Sequence, residues 1–411
     1  MKRRVVVTGM GVISPVGNTV EDFFTSLKNG VCAIGEITKF DTTDYKVKIA
    51  AEVKDFDPTL YMEKGDVRKT DLFVQYAIAA AKQAVEQSGC RDSIPAEKIG
   101  VYFGSGIGGF DTIVREHTNL INKGSHRVSP MFIPKMIPNM AAGQVAIAIN
   151  AKGPSVSMST ACATGTTCIG EAFRAIRDGY ADAIVAGGSE AAINELAVAG
   201  FTNCMALCET NDPKTACVPF DKRRCGFVMS EGAAALVLED YESAKRRGAT
   251  IFAEVKGYGS TCDAHHVTAP DPEATGSAKA FRDAADEAGI TDSHSLYINA
   301  HGTSTPLNDK TETLAIKKAF GEQAYKISIS STKSMTGHML GAAGAAEAVA
   351  SIMALKEGII PPTVGYVEKD PDCDLDYTPN KAVEKKIDFA LSSSLGFGGH
   401  NACIAFGKAE D

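Results

Sequence analysis

Four side chains of this sequence have the types to act on one reacting centre: a thiol, two imidazoles and an amine. The thiol is Cys162, in the run Ser157-Met158-Ser159-Thr160-Ala161-Cys162-Ala163-Thr164-Gly165. An extended apolar lead-in, Pro154 to Met158, precedes it. Between Ala163 and Asp178, Ile169, Ala172, Phe173 and Ile176 recur at helical spacing, and Gly179 stops the pattern. The spacing predicts strand, sharp turn, thiol, helix. A thiol at that junction faces the unpaired N–H groups and positive end of a helix, which favours thiolate. An inert buried thiol fits the same local pattern equally well, because free cysteine is among the most buried residue types.

The imidazoles and the amine lie in the second half. His301 stands in Asn299-Ala300-His301-Gly302-Thr303-Ser304-Thr305-Pro306-Leu307-Asn308-Asp309, a polar, glycine-punctuated stretch after an apolar run. Lys333 and His338 stand in Ser330-Ser331-Thr332-Lys333-Ser334-Met335-Thr336-Gly337-His338, ahead of an Ala/Gly-rich helix. Taken singly, the histidine has an ordinary structural reading and the lysine an ordinary solvent-facing one. Together they occupy loops that follow strands, where layered α/β folds build sites.

The elements that must position them repeat. Arg4–Thr8 is a β-rich run, Val20–Lys28 an amphipathic helix and Thr70–Ser88 a helix stopped by Gly89. Ile99–Phe103 is a strand closed by Gly104-Ser105-Gly106-Ile107-Gly108-Gly109. That loop satisfies G-x-G-x-x-G, but no acidic residue ends a second strand at the expected distance, so tight turning serves as well as a phosphate cradle. Pro130–Pro138 reads as loop, Met140–Ile149 as a short helix, Ala183–Ala186 as a strand ending in Gly187-Gly188-Ser189, and 194–225 as irregular. Gly226–Glu239 holds a buried strand. From Ile251 the order starts again. Leu296–Asn299 matches Val101–Phe103, Ile327–Ser331 with the helix Gly341–Lys356 matches the Cys162 unit, and Ala390–Leu395 with Ala402–Phe406 matches Gly226–Leu238. Two similar halves, 1–250 with the thiol and 251–411 with the His/Lys motifs, are expected to pack as one layered α/β molecule.

Composition excludes several classes. The chain has 411 residues, 44% hydrophobic and 22% charged, which suits a large core and argues against disorder. A net charge of −8 argues against a general nucleic-acid binder. No run approaches the ~18 apolar residues of a membrane span. Met1-Lys2-Arg3-Arg4 resembles the start of a signal peptide, but Gly9, Gly11, Pro15 and Gly17 interrupt the apolar region, so a buried first strand and a cytoplasmic protein are expected. Eleven cysteines, an odd number without framework spacing, fit a reducing compartment. Cys204, Cys208, Cys217 and Cys225 cluster, but with no CxxC knuckle and no histidine pair they argue against structural zinc.

Thr160-Ala161-Cys162-Ala163-Thr164 resembles the nucleophile motif of the β-ketoacyl-[acyl-carrier-protein] synthases of the thiolase superfamily. Asn299–Asp309 resembles their first histidine motif, and Lys333–His338 with Gly341-Ala342-Ala343-Gly344 their Lys/His motif. Gly396-Phe397-Gly398-Gly399, Thr8–Gly11 and Pro219-Phe220-Asp221 with Arg224 and Gly226-Phe227 also match. The resemblance covers nearly the whole chain and is greatest to the elongating type II branch (synthase II) of dissociated fatty-acid synthesis. It implies a thiolase-like, five-layered αβαβα fold from two pseudo-repeated halves with mixed five-stranded sheets.

It also implies decarboxylative Claisen condensation without a redox or nucleotide cofactor. Cys162 would take an acyl group from acyl-carrier protein, with the N–H groups of Cys162 and Phe397 holding the oxyanion. His301 and His338, as neutral Nε2–H donors, would stabilise the enolate left when malonyl-carrier protein loses CO2, and Lys333, anchored by Glu347, would hold the geometry. Thr303, Thr305 and Gly398 would contact substrate, Ile107 and Phe201 would line the acyl pocket at a homodimer interface, and Phe397 would gate it. Arg68, Lys69 and Arg127, with Lys64 and His126 nearby, would dock the acidic carrier. Family members place a monovalent cation near Asn299 and Glu347. The sequence departs from the family pattern at Ser393, Leu395, His400, Met205 and Cys225. A thiolase would need a second catalytic thiol, for which Cys403 sits in an apolar strand; a non-catalytic subunit would lack Cys162; and a Cys–His protease would need an Asn/Asp orienter.

Overall fold

The computed structural model describes residues 2–410. The first half contributes five strands to the main sheet: β1 (Val5–Ile13), β2 (Ile99–Gly104), β3 (Ser155–Val156), β4 (Ala183–Glu190) and β5 (Gly232–Asp240). The second contributes β6 (Ala253–Cys262), β7 (Leu296–Asn299), β8 (Ser328–Ser330), β9 (Phe389–Gly396) and β10 (His400–Gly407). The spatial order is β8-β7-β9-β10-β6-β1-β5-β4-β2-β3. Each half therefore runs third, second, fourth, fifth, first. In both, the second strand is parallel to the third and fourth, while the fifth is antiparallel to its two neighbours. The halves join where β1 pairs antiparallel with β6, Val5 opposite Val255 and Val7 opposite Ala253. The repeat read from element order is thus a repeat of topology. The equivalences need one correction: the hairpin β9–β10 corresponds to β4 plus β5, not to Gly226–Leu238 alone.

Helices form three layers. α1 (Leu72–Ser88) and α2 (Met140–Ile149) cover one face of the first half. α3 (Thr164–Arg177), which starts beside Cys162, packs between the halves with α6 (Ala343–Glu357), while α4 (Thr275–Ala288) and α5 (Pro306–Phe320) cover the outer face of the second half. The result is an αβαβα stack. α6 is buried from Ala343 to Leu355, which explains its Ala/Gly composition: with a sheet on each side it has no solvent face, and added methylenes there would overpack by about 1–3 kcal/mol. Close approach is built in the same way in both halves. A Cβ on Gly9 or Gly11 of β1 would stand 2.0 Å from the Ala84 or Ala80 carbonyl of α1. A Cβ on Gly257 or Gly259 of β6 would meet the Ala284 or Ala280 carbonyl of α4 at 2.1 and 2.0 Å.

Two stretches expected as irregular contain helices. Phe132–Met136 is helical within 130–138, and Glu195–Asn203 is helical within 194–225. The second is started by the Asn194 side chain, which accepts from the Ala197 N–H at 2.9 Å. Its Gly200, Thr202 and Asn203 are weak helix formers, so tertiary packing of Ala197 and Val198 holds it. No described helix is long and apolar enough to cross a membrane.

Candidate active site

Cys162 lies in a tight turn, Ala161–Ala163, directly before α3. Ala161 has φ +50°, and Thr164 Oγ braces the turn by accepting from Thr160 N–H (2.9 Å) and donating to the Ala161 carbonyl (2.7 Å). The residue opens onto a cavity of about 360 Å³, shared with Phe201, His301, Thr303, Thr305, His338 and Phe397. The sulfur itself is desolvated. Burial pushes the thiol up to about 12, the nearby Lys333 charge opposes this, and Glu190 and Glu347 add to it. Loss of hydration thus works against the thiolate form that the helix end favours.

His301 follows β7 at the strand end. Its N–H donates to Glu312 of α5 at 2.7 Å, and the next N–H, Gly302, donates to the other oxygen at 2.8 Å. Ser393 Oγ–H also donates to Glu312 at 2.7 Å. Burial pushes Glu312 up to about 7 against these donors. Serine at 393, a departure from the family pattern, thus keeps a hydrogen bond to the carboxylate that shapes the His301 loop.

Lys333, 1% exposed, is ion-paired with the equally buried Glu347 of α6. Its ammonium lies 3.4 Å from His301 Nδ1. An ammonium has no lone pair, so Nδ1 must accept and the His301 proton resides on Nε2. His338 Nδ1 accepts the Leu340 N–H at 3.3 Å, which places its proton on Nε2 as well. Burial, with the Lys333 charge adding to it, holds both imidazoles well below their ordinary pKa. The two rings stand edge to face, centroids 5.3 Å apart, with Phe227 against His338 at 5.1 Å. Two neutral N–H donors converging on one cavity beside a thiol can stabilise a developing enolate oxygen.

Phe397 belongs to the hairpin between β9 and β10, where Gly398 and Gly399 have φ +88° and +77°. A Cβ on Gly396 would meet the Thr160 carbonyl at 2.5 Å and Cys162 N at 3.3 Å, so the hairpin rests against the nucleophile's backbone. It is tied to the loop after β6: Asn401 Nδ2–H donates to Asp263 Oδ1 (2.7 Å), Asp263 N–H to the Gly399 carbonyl (2.9 Å) and Gly398 N–H to the Val267 carbonyl (2.7 Å). Asp263 and Asn401 line the cavity and were missed from sequence, where each is an isolated polar residue. Gly398 donates its N–H to that loop, and its neighbours Phe397 and Gly399 line the cavity.

The other expected residues divide. Thr303 and Thr305 line the cavity with hydroxyls 2.9 Å apart. Phe201 and Leu395 line it too, while Ile107 sits behind it, packed in the cluster that includes Cys162, Phe201, Phe397 and Leu340. Arg68, Lys69 and Arg127 are exposed, and Lys69 pairs with Asp66 at 3.2 Å. The cysteine cluster does not gather: Cys208 and Cys225 form a disulfide, unexpected for a reducing compartment, while Cys217 donates to the Lys333 carbonyl at 3.1 Å. Cys403 is buried in β10 outside the cavity. In the Gly104–Gly109 loop the Gly106 and Ile107 N–H groups donate to a carboxylate, Glu190, rather than outward to a phosphate.

This fold and site define a class, and the comparisons place the chain in it. Residues 2–244 match the beta-ketoacyl synthase N-terminal domain and residues 252–367 the C-terminal domain. The chain belongs to the beta-ketoacyl synthase family of acyl-transferring condensing enzymes. It is 50% identical to 3-oxoacyl-[acyl-carrier-protein] synthase 2 of Staphylococcus aureus over 410 residues, 99% of both chains. It is 49% identical to the synthase of the same name from Synechocystis sp. over 409 residues, 99% of this chain and 98% of that one. The solved ishigamide ketosynthase/chain length factor superposes with TM-score 0.93 at 36% identity, and a beta-ketoacyl synthase from Burkholderia phymatum with TM-score 0.92 at 34%, each covering 100% of both chains.

Proposed function

We propose that this chain is a 3-oxoacyl-[acyl-carrier-protein] synthase of the elongating type, adding two carbons to an acyl chain held on Cys162. The observation that carries the reading is the tautomer of both histidines: each carries its proton on Nε2, and both rings line the cavity that Cys162 opens onto. In the first half-reaction Sγ attacks the acyl thioester carbonyl. The carrier's C–S bond breaks, and the thiol proton ends on the departing carrier thiol. The N–H groups of Cys162 and Phe397, beside Gly396, would hold the oxyanion. In the second, malonyl-carrier protein loses CO2 through cleavage of its carboxyl C–C bond. The electron pair becomes an enolate held by His301 and His338. The enolate carbon attacks the acyl-Cys162 carbonyl, the C–S bond breaks, and the leaving sulfur takes up a proton. Thr303 and Thr305 would bond the pantetheine arm, while Phe201 and Ile107 bound the acyl chain and Phe397 gates its entry.

Carrier protein is the partner this reading requires, and Arg68, Lys69 and Arg127 are its proposed docking surface. A similar solved structure, described as a type II PKS acyl-carrier protein in complex with its ketosynthase, supports a carrier binding to this kind of fold. A homodimer in the cytoplasm completes the proposal. β3 is an exposed edge of the sheet; its Val156 is exposed, as are Leu120, Ile121, Ile133 and Ile147. An unpaired edge and exposed apolar residues suit pairing with a second copy. The division at residue 250 is proposed as one between a nucleophile half and a histidine half.

A monovalent cation is also proposed. Asn299 and Ser392 are opposite one another in the β7–β9 register, and the polar atoms of both side chains are buried without partners, as is Glu347 Oε2. Oxygen donors of this kind suit a hard cation, which would satisfy these unpartnered buried atoms.

The test is product analysis with acyl- and malonyl-carrier proteins. A 3-ketoacyl product two carbons longer, with CO2 released in equal amount, is expected. Condensation of acyl-CoA without CO2 release would overturn the reading.

A further inference from the structure

Glu190 ends β4 and is fully buried, with no ion pair among the described residues. Its charge meets N–H and O–H dipoles instead. Oε1 accepts from Ser105 Oγ–H (2.7 Å) and Ile107 N–H (3.2 Å). Oε2 accepts from Gly106 N–H (2.9 Å) and Gly341 N–H (3.0 Å). A Cβ on Gly106 or on Gly341 would stand 2.8 Å from Oε2, so both glycines make room for the carboxylate. Ser105 Oγ also accepts the Gly108 N–H at 2.9 Å, extending the brace along the loop.

One carboxylate thus joins the loop after β2 to the turn that leads into α6. Each joined peptide is next to a residue of the site. Ile107 packs in the apolar cluster shared by Cys162, Phe201 and Phe397. Gly341 follows Leu340, which is buried in that cluster, has φ +49° and donates the N–H that fixes the His338 tautomer. Burial raises Glu190 while its donors hold it down, and its charge pushes the Cys162 thiol up.

We propose that Glu190 is a positioning residue that fixes where Ile107 and Leu340 stand and so sets the chain length accepted beside Cys162. Acyl chain as the occupant rests on the proposed function; the packing of Ile107 and Leu340 behind Phe201 and Phe397, which line the cavity, does not. The probe is therefore a set of N-alkyl iodoacetamides of graded length, whose rates at Cys162 are followed by intact mass on the full chain. Glu190→Gln keeps the volume but sets an amide N–H against donors. It is expected to change the ratio of long- to short-chain alkylation several-fold and to move the alkylation pH profile to lower pH. Ser105→Ala, which keeps the carboxylate and removes one donor, is expected to shift the length ratio in the same direction by less. The same ratio in wild type and both variants overturns the proposal, as does equal slowing at every length. Should Glu190→Gln not fold, Ser105→Ala alone decides by the ratio. Acyl-carrier proteins of graded length are then compared. Failure of wild type to accept any of them counts against the proposed function, while the iodoacetamide ratio still reads Glu190.

Discussion

The Lys333 ammonium lies 3.4 Å from Nδ1 of His301 while ion-paired with Glu347, so one buried cation both fixes an imidazole tautomer and neutralises a carboxylate. Replacing Lys333 by Met should lower malonyl-carrier decarboxylation by about 10²–10³-fold, the usual loss for one oxyanion donor. It also strands Glu347, at a cost of about 3–5 kcal/mol. Lys333→Met/Glu347→Gln should recover much of that stability in thermal melts without recovering decarboxylation. Recovery of both would reduce Lys333 to a structural role.

The two histidines make a pH prediction. Their ordinary value is 6.5, and both are held well below it by burial. Proton uptake would remove the lone pair at Nδ1 that accepts from Lys333 or Leu340. Decarboxylation should therefore show no histidine inflection at pH 6.5 and should fall only at distinctly lower pH. An inflection near 6.5 that disappears in His338→Asn would contradict the tautomer assignment.

Much of this was legible in the sequence because catalytic residues sit next to glycine and small polar residues at strand ends. Cys162, His301, Lys333 and His338 were singled out that way, and the structure brings three of them to one cavity with Lys333 beside His301; the topological repeat followed from element order. Asp263, Glu190 and Glu312 were not, because their partners lie far off in sequence: Glu190 and Glu312 accept backbone N–H groups of other loops, and Asp263 accepts the Asn401 amide. What opposes the thiolate was hidden for a similar reason. The helix end is visible locally, whereas the Lys333 and Glu347 charges and the hairpin at Gly396 reach the thiol from the other half.

The hairpin gives a steric prediction. Gly396→Ala places a methyl 2.5 Å from the Thr160 carbonyl and 3.3 Å from Cys162 N. Transacylation should fall by up to about 10²–10³-fold, the loss for one oxyanion donor. Alkylation of Cys162 by a small reagent should fall much less. Parallel losses in both would place the effect on the thiol rather than the oxyanion site.

The Asp263–Asn401 tie predicts a change in gate mobility. Asn401→Ala removes a 2.7 Å hydrogen bond between the hairpin and the loop after β6. A net loss of about 1 kcal/mol is expected in stability, together with faster hydrolysis of the acyl-Cys162 thioester as water enters. Unchanged hydrolysis, measured by mass after isolating the acyl-enzyme, would show that the tie does not hold the gate.

The central claim is that Cys162 carries the acyl chain into a decarboxylative condensation. Intact-mass analysis tests it most directly, mixing the protein first with acyl-carrier protein and then with malonyl-carrier protein labelled in its free carboxyl. One acyl group should appear on Cys162 and then leave with one labelled CO2 per 3-ketoacyl product, and Cys162→Ala should show neither event. An adduct on another thiol, or product formed without labelled CO2, would contradict the account.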